Sequence, residues 1–492
     1  MEFQARSIDI GTQHPTVLLT REDAEELGAN PLDRVHLRWG EQSAVGIVEV
    51  SDELVEPGTI GVTPRLGAVD GTVSVTLAGR PRSVQHVRKK LDDLELDPDE
   101  VRGIIRDIQE DRLSDMELSA YVSAIYANGL SLAETRALAK AMTETGQRLS
   151  WEAPVVADKH SIGGVAGNRV TPIVVAIVAA AGVPIPKTSS RAVTSPAGTA
   201  DTMEVFCEVD LSIAEIRAVV DEVGGCVVWG GSVDLSPVDD KIIRAENPLS
   251  LDPPGQVIAS VLSKKHSAGS THVVIDVPYG EGAKVESLGA ARELAEDFIR
   301  VGEELGMTIE CAITRGDAPI GRGVGPVLEA RDVLAVLDGD GPDDLRRKAV
   351  RLAAILIEET GIDADAERIL ESGEALERFR RLLGAQGGDP GVEVEDLQPG
   401  EHTHVVAADA DGLVTHVDNR LVSDVARRAG APRDAAAGLR LHHRPDDRVV
   451  DGDPLYTIYA EKESKLADAT DRAREVEVVR VRSSDEALVE RV

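Results

Sequence analysis

The sequence has few cysteines and no long apolar run. Its three cysteines, Cys207, Cys226 and Cys311, fall in no CxxC or paired His/Cys spacing, so we expect neither a disulfide framework nor a metal site. The longest apolar run, Ile173 to Val183, is too short to cross a bilayer. The first residues, MEFQARSIDIG, lack the basic region and apolar core of a secretory signal. These absences predict a protein of the reduced cytoplasm with no membrane partner.

Aromatic residues and positive charge are also scarce. Aromatics make up 2% of the 492 residues, and 53 Lys and Arg face 87 Asp and Glu, which gives a net charge of −34. Because such a chain repels the phosphates of nucleic acids, we expect no nucleic-acid partner. The acids are spread over predicted helix faces and arginine outnumbers lysine, which favours a surface adapted to high salt. An ordinary acidic cytosolic protein is the alternative interpretation.

Four segments differ in their hydrophobic patterns, and together they predict a multidomain α/β protein. Short alternating runs (SIDI, TVLL, RVHLRW, AVGIVEV, TIGVT and TVSVTL) predict an N-terminal β-rich domain over residues 1–84. Residues 85–154 predict a helical domain, which later helical segments join, with capping boxes SDME and SLAE at two helix starts. Residues 155–390 alternate strand-like and helical runs, which is typical of an α/β domain with a mostly parallel sheet. Residues 391–492 predict a C-terminal α+β domain, which follows GAQGGDPGVE, a linker by composition.

Polar residues follow the predicted strands of the third segment. The runs PVVADK, VPIPKTSS, CVVWGG, THVVIDVP and TIECAITR predict buried strands whose ends contain or adjoin Gly, Ser or Asp. Ligands of such folds gather at the carboxyl ends of parallel strands. The loops after these strands are therefore the first places to look for a binding site.

The loop DKHSIGGVAGN, from Asp158 to Asn168, combines glycines with a lysine and a serine. Its backbone amides, the Lys159 ammonium and the Ser161 hydroxyl together suit an oxyanion, although a structural turn is an open alternative. The segment matches neither GxxxxGK[ST] nor GxGxxG, so it predicts neither a Walker loop nor a dinucleotide site. Lysine is rare in this chain, with twelve residues in all, and a cluster of them lies between Lys159 and Lys284.

Three further stretches contain candidate binding residues. KTSSRAVTSPAGTADTMEV, residues 187–205, has six hydroxyl side chains before its helical end, which suits a phosphoryl or ribose cradle better than a simple helix cap. Ser260 and Lys264 lie four residues apart on a predicted helix, so they can grip one planar polar group. Asp252 precedes two prolines, which fix its position and suit it to present its carboxyl group to a ligand. Alternatively, it interacts favourably with the positive N-terminal end of the helix dipole. Lys284 lies in another glycine loop, YGEGAKVES.

The motifs DKHSIGGVAGN, KTSSRAVTSPAGTAD and IASVLSKK…GAKV resemble the type II nucleoside phosphorylase family, which includes thymidine and pyrimidine-nucleoside phosphorylases. The resemblance covers nearly the whole chain from about residue 90. The chain is most similar to an archaeal branch that has an extra N-terminal β domain and cleaves nucleoside 5′-monophosphates with phosphate into free base and ribose 1,5-bisphosphate. Two departures from the thymidine enzymes favour this branch: Ser195 stands where they have histidine, and GGVAGN is one residue longer than their motif.

The resemblance implies roles for individual residues. Asp252 matches the proton donor, and Arg244 with Lys264 matches base-binding residues. Those matching the attacking-phosphate positions are Lys159, Ser161, Ser189 and Thr199. Those matching nucleotide-binding positions are Gly167, Val193, Thr194, Ser195, Pro196, Ala197, Gly198, Thr202, Ser260 and Lys284. Inorganic phosphate is the expected co-substrate, with no cofactor and no metal, and the family implies a homodimer or larger homo-oligomer.

Phosphorolysis fits these residue types. Lys159 and the glycine-loop amides would orient a phosphate dianion for attack on C1′. The departing base gains negative charge, so a general acid such as Asp252 would help. An aspartic acid that stays protonated near neutral pH requires burial to raise its pKa.

Other functions stay open at this point. A pyrimidine or thymidine nucleoside phosphorylase is one alternative, and a preference for guanine over adenine within the nucleotide reaction is another. An anthranilate-type phosphoribosyltransferase would need magnesium and an acidic pyrophosphate-binding motif, for which PVDD, residues 237–240, is a poor candidate. A non-enzymatic nucleotide sensor would bind nucleotides without consuming phosphate.

Overall fold

The computed structural model describes residues 1–12, 14–192, 195–249 and 251–483. By compactness the chain divides into two units. The first comprises Met1–Ala141 and Pro237–Gln256, and the second comprises Met142–Ser236 and Val257–Val492. None of the helices in the described part of the chain is both long and apolar enough to cross a membrane.

The first unit begins with a closed six-stranded barrel in the order β1-β5-β2-β4-β3-β6. Alternation builds it: in RVHLRW, Val35 and Leu37 are fully buried while His36 and Arg38 point outward. The prediction of a strand at SIDI is wrong, because the first strand ends at Ser7 and only its alternating residues Phe3 and Ala5 join the core. The elements are β1 (Glu2–Ser7), β2 (Thr16–Leu19), α1 (Arg21–Leu27), β3 (Arg34–Trp39), β4 (Gln42–Val50), β5 (Thr59–Val62) and β6 (Thr72–Leu77).

Four helices follow the barrel, and both predicted capping boxes are confirmed. The Ser114 hydroxyl accepts from the Glu117 amide, and the Glu117 carboxylate accepts from the Ser114 amide in return. Ser131 and Glu134 make the same pair of bonds at the next helix. The helices are α2 (Ser83–Leu91), α3 (Pro98–Gln109), α4 (Asp115–Asn128) and α5 (Leu132–Thr145).

Parallel strands form the centre of the second unit, as predicted. One sheet has the order β11-β10-β7 and another pairs β8 with β9, and every pairing in them is parallel. The strands are β7 (Ala157–Ser161), β8 (Ile185–Ser189), β9 (Gly225–Trp229), β10 (His272–Tyr279) and β11 (Thr308–Arg315). The helices are α6 (Val170–Ala180), α7 (Thr199–Glu204), α8 (Ile213–Val223), α9 (Pro237–Glu246), α10 (Pro254–Ser267) and α11 (Leu288–Glu304), of which α9 and the start of α10, up to Gln256, belong to the first unit.

The α6 helix is apolar on all sides, and residues 170–179 are all buried. Because a helix that is apolar all round must be surrounded by protein, α6 becomes the central core helix of this unit and fixes the loops on either side of it. The next elements are β12 (Gly323–Val324), α12 (Pro326–Asp338), α13 (Asp343–Glu359), α14 (Ala366–Glu371) and α15 (Glu374–Ala385).

The stretch GAQGGDPGVE does not behave as a free linker. Gln386 within it is 1% exposed. Its side-chain amide donates to the carbonyls of Glu208 and Val227 at 2.7 and 3.1 Å and accepts from the Val227 amide at 2.9 Å. Composition alone does not reveal that this one glutamine ties the turn to β9.

The C-terminal segment has the predicted α+β character, and its strands form two antiparallel sheets. One sheet has the order β12-β15-β17-β13, so it includes β12, which precedes this segment in the chain. The other has the order β16-β14-β18. The elements are β13 (His402–Ala407), β14 (Gly412–Val417), α16 (Asn419–Arg428), β15 (Gly438–Leu441), β16 (Arg448–Val449), β17 (Pro454–Ala460), α17 (Glu463–Glu475) and β18 (Val479–Ser483).

Candidate active site

Lys159 lies on β7 and is fully buried. Its ammonium donates to the Thr171 hydroxyl at 3.2 Å. Burial lowers the pKa of Lys159 to about 7, against the opposing effect of Asp276. An anion arriving beside this group would favour its charged form, so proton uptake and anion binding are coupled here.

Asp276 on β10 organises the end of β7. The parallel register places it opposite Ser161. Its carboxylate accepts from the hydroxyls of Ser161 and Thr314, the latter at 2.6 Å, and from the Asn168 amide at 3.3 Å. The Lys348 ammonium lies 2.8 Å from it. We call these five residues the Asp276 cluster.

Asp276 is ionised in spite of its burial. Burial acts to raise the pKa of its carboxyl, but the cations of Lys348 and Lys159 outweigh this and leave the pKa lowered. The Ser161 hydroxyl therefore donates to a fixed negative charge, which sets the direction of its oxygen lone pairs.

A second buried carboxylate, Asp158, holds another pair of lysines. Lys265 lies 2.9 Å from both carboxylate oxygens, and the Ser270 hydroxyl donates at 3.0 Å. Lys187 lies 4.0 Å from the same carboxylate and donates to the Thr188 carbonyl. Burial and the charge of Lys265 lower the pKa of Lys187 well below its ordinary value. Asp158, Lys187, Lys265 and Ser270 form the Asp158 cluster.

The glycines of the first loop are required by close packing. Gly164 has φ +84°, and a Cβ there would lie 2.4 Å from the Lys284 amide nitrogen. Gly167 has φ +71°, and a Cβ there would lie 2.2 Å from the Ile320 carbonyl oxygen. The backbone of the loop at Gly164 therefore packs against the backbone of Lys284, one of the predicted nucleotide-binding residues. Lys284 itself is exposed.

Arg169 joins the first loop to the second. Its guanidinium donates to the Thr199 hydroxyl and the Ala197 carbonyl, both at 3.0 Å, and to Glu329 at 2.5 Å. Thr202 is fully buried, and its hydroxyl lies 3.4 Å from the same Glu329 carboxylate. Thr199 is thus held by Arg169, whereas Lys159 bonds to Thr171 and Ser161 bonds to Asp276.

The second loop also caps α7. The Asp201 carboxylate accepts from the amides of Gly198 and Ala192, each at 2.7 Å. Ser195 is exposed and its hydroxyl donates to the Ala197 carbonyl, while Pro196 is buried. The Ser189 hydroxyl is buried and has no hydrogen-bond partner among the described residues. Val193 and Thr194 lie outside the described residues.

The remaining predicted residues are divided between the two units. Ser260 and Lys264 lie on α10 in the second unit, four residues apart as predicted, and both are half-buried. Arg244 on α9 and Asp252 before α10 belong to the first unit, and both are exposed. The burial that a protonated Asp252 requires is therefore not present in this structure.

Sequence reasoning missed several charged residues that lie around the predicted site residues. Lys265 could have been noticed as the neighbour of Lys264 in a lysine-poor chain, and Lys348 as a lysine at a core position of α13. Asp276, Arg169 and Glu329 leave no comparable signal, because each finds its partners through the tertiary fold. In the part of the chain that the structure describes, no group of three or more His, Cys, Asp or Glu side chains is arranged to hold a metal.

Three family models match the chain. They are described as the a/b domain of a glycosyl transferase family over residues 153–367, the helical bundle domain of the same family over residues 84–146, and the pyrimidine nucleoside phosphorylase C-terminal domain over residues 413–479. The predicted domain limits at 84, 154 and 390 stay predictions.

Similar proteins cover the chain from end to end. An AMP phosphorylase from Natronomonas pharaonis is 63% identical, with 100% of each chain covered. An AMP phosphorylase from Thermococcus kodakarensis is 45% identical, with 98% of each covered. Among solved structures, anthranilate phosphoribosyltransferase from Thermus thermophilus matches with a TM-score of 0.53 at 18% identity, over 61% of this chain and 99% of its own. This last likeness concerns the fold alone.

Proposed function

The chain belongs to the AMP phosphorylase family of pentosyl-transferring enzymes, and on that basis we propose that it converts AMP and inorganic phosphate into adenine and ribose 1,5-bisphosphate. In this reaction the N-glycosidic bond breaks, a phosphate oxygen bonds to C1′, and a proton passes to the base. The full-length similarity to AMP phosphorylases is the observation that supports this most. The pyrimidine-nucleoside alternative has less support, since only the C-terminal family model points to it.

We propose that Lys159, Ser161, Ser189 and Thr199 bind the attacking phosphate. The Asp276 cluster orients Ser161, and Arg169 orients Thr199. The buried Ser189 hydroxyl, which has no hydrogen-bond partner among the described residues, can donate a hydrogen bond to the phosphate. A phosphate dianion would favour the ammonium form of Lys159, and the fixed donors around it would need little rearrangement during attack.

We propose that residues of the loops, together with Thr202 on α7 and Ser260 on α10, bind the nucleotide, and that residues of α9 and α10 contact its base. We assign the nucleotide to Gly167, Val193, Thr194, Ser195, Pro196, Ala197, Gly198, Thr202, Ser260 and Lys284. Arg244 and Lys264 are proposed to contact the base. A lysine and an arginine offer only donors, so they fit acceptor atoms of the base.

Asp252 is proposed as the general acid that protonates the leaving base. Its carboxyl is exposed in the described first unit. For this role it must lose contact with water when the nucleotide is bound, since desolvation favours the neutral acid. Asp252→Asn should lower kcat by orders of magnitude and leave the affinity for AMP nearly unchanged.

We propose that phosphate is the co-substrate and that the reaction uses no cofactor or metal. The ammonium of Lys159 and the hydroxyls around it can meet the charge of one phosphate without a cation. Activity should survive dialysis against EDTA, whereas a magnesium-dependent phosphoribosyltransferase would lose it.

We also propose a cytoplasmic homo-oligomer. Large apolar side chains are exposed on the helical segment, including Leu94, Met116 and Tyr126 at 54%, 68% and 58%, which suits an interface between copies. All three cysteines are free thiols, which suits a reducing compartment.

The test is phosphate-dependent release of free base from AMP, GMP, CMP and UMP and from the matching nucleosides, in molar potassium chloride. We expect cleavage of the monophosphates, with AMP the best substrate, and no cleavage of nucleosides. A preference for GMP would change the base assignment only. Cleavage of nucleosides alone would contradict the proposal and favour a pyrimidine-type enzyme.

A further inference from the structure

A cavity of about 430 Å³ lies in the first unit, where the barrel adjoins α2 and α3. This is within the range of small-molecule sites, which have volumes of roughly 300–1,000 Å³. Its walls come from β3 and β4, from the segment 78–83 after the barrel, and from α2, α3 and Arg112 just beyond α3. None of the residues assigned above to phosphate, nucleotide or base lines it.

The charge of this cavity opposes the charge of the chain. Acids outnumber Lys and Arg in the sequence by 87 to 53, yet four arginines line the cavity against one acid, Asp107. Two histidines also line it, of which His86 already pairs with Glu100 at 3.3 Å. The basic residues are Arg34, Arg82, Arg106, Arg112, His36 and His86.

Three of the arginines have capacity for a ligand. The Arg34 side chain is only 10% exposed; one of its terminal nitrogens pairs with Glu117, but its Nε is buried without a hydrogen-bond partner in the described chain. Arg82 and Arg106 are exposed, and neither forms an ion pair with any described residue. Arg112 already pairs with Asp107 and Glu110.

The acid in the wall is already occupied. The Ser83 hydroxyl donates to Asp107 Oδ2 at 2.5 Å, and Arg112 lies 3.4 Å from Oδ1. Ser83 is also the first residue of α2, so the positive end of that helix dipole adds to the field. An anion in the cavity would therefore meet guanidinium groups that Asp107 does not neutralise.

We propose that this cavity is a second, non-catalytic binding site for a small phosphate-bearing anion. Guanidinium groups bind phosphate oxygens in pairs, and arginine is preferred where such planar recognition matters. In molar salt the screening length is only about 3 Å, so the site must work by direct hydrogen bonds rather than by long-range attraction. A partly buried Arg34 beside two guanidinium groups that lack ion pairs supplies those bonds.

The test counts bound phosphates by equilibrium dialysis of the full-length protein with labelled inorganic phosphate in molar potassium chloride. We expect two sites per chain. The double variant Arg82→Gln/Arg106→Gln should weaken one of them at least tenfold and leave phosphorolysis of saturating AMP unchanged. Lys159→Ala should instead remove the other site, which keeps this test separate from that of the proposed function.

Matched controls and competitors sharpen the result. Arg38→Gln/Arg88→Gln removes two exposed arginines from β3 and α2 that do not line the cavity, and both sites should remain. Unlabelled AMP and ribose 5-phosphate, added as competitors, show which phosphate compound displaces the label from the cavity site.

Two results would overturn the proposal. One is a single phosphate site in the wild type that the Arg82/Arg106 variant retains. The other is a variant that binds as many phosphates as the wild type but forms smaller assemblies in sedimentation velocity. That result would mean that the arginines of the cavity bind an acidic side chain of a second copy of the chain rather than a phosphate.

Discussion

Asp158 and Asp276 are both fully buried, and both pair with lysine, but their surroundings differ. The side chains that contact Asp158 are those of Lys187, Lys265 and Ser270, none of which is assigned to a substrate. Among the described residues, its carboxylate contacts a phosphate residue only at the backbone amide of Lys159, at 2.7 Å, and not at a side chain. Asp276 contacts Ser161, which is assigned to phosphate. The same buried ion pair can therefore serve the fold in one cluster and align a ligand-binding group in the other.

Asp158→Ala should have the largest effect on stability. The substitution would leave Lys265 buried without its partner, and Lys187 would also lose the nearby negative charge. Breaking a buried ion pair costs about 3–5 kcal/mol of folding free energy. Thermal unfolding should show a large fall in Tm. Asp363→Ala, at an exposed acid of the same unit, is the control and should change Tm little. Equal Tm values for the two variants would contradict a structural role for the Asp158 cluster.

Asp276→Asn should act mainly on phosphate. An amide cannot accept all the donors that now converge on this carboxylate, so Ser161 would lose its orientation. We expect the KM for phosphate to rise about tenfold or more, equivalent to at least ~1.4 kcal/mol, and the KM for AMP to change much less.

Adding Lys348→Met to Asp276→Asn separates stability from binding. The second change removes the lysine left without its partner, so Tm should recover while the KM for phosphate stays high. If the KM for phosphate recovers together with Tm, Asp276 contributes to the fold alone. The Asp276 cluster would then not differ in role from the Asp158 cluster.

The pH dependence of phosphate binding should report Lys159. Its pKa of about 7 means that the ammonium is present below pH 7 and is lost as the pH rises above it. With KM expressed in terms of the phosphate dianion, we expect KM to rise by up to tenfold per pH unit above 7. A KM that stays level between pH 6 and 9 would show that the charge of Lys159 does not contribute.

The smallest effect is expected at Asn419, which lies on α16 in the C-terminal segment. Its side chain accepts from the Ala166 amide at 3.0 Å and donates to the Gly316 carbonyl at 2.9 Å. These bonds stabilise the loop that contains Gly164 and Gly167. Asn419→Ala should raise the KM for phosphate a few-fold with little change in kcat. Asn419→Asp, which keeps the acceptor, should lie between the alanine variant and wild type.

Sequence patterns predicted the parts of the molecule that depend on neighbours in the chain. The capping boxes at Ser114 and Ser131 and the parallel strands of the second unit follow from local spacing. Lys159, Ser161 and Gly167 could be located because they lie within one short stretch of the sequence, although the structure places the first two on β7 and only Gly167 in the loop that follows. Their roles in binding remain predictions.

Contacts between distant residues could not be predicted in this way. Ser161 and Asp276 are 115 positions apart, and nothing near Asp276 in the sequence marks it as the partner of that serine. The exposure of Asp252 and the burial of Gln386 depend likewise on tertiary packing. The contacts around the predicted phosphate residues thus emerge only from the fold.

The most direct test of the proposed chemistry is ³¹P NMR of the reaction of AMP with ¹⁸O-labelled phosphate. We expect the label in a new phosphate ester at C1 of ribose 1,5-bisphosphate, formed in step with free adenine. Release of adenine with ribose 5-phosphate, and with all of the label still in inorganic phosphate, would contradict attack by phosphate.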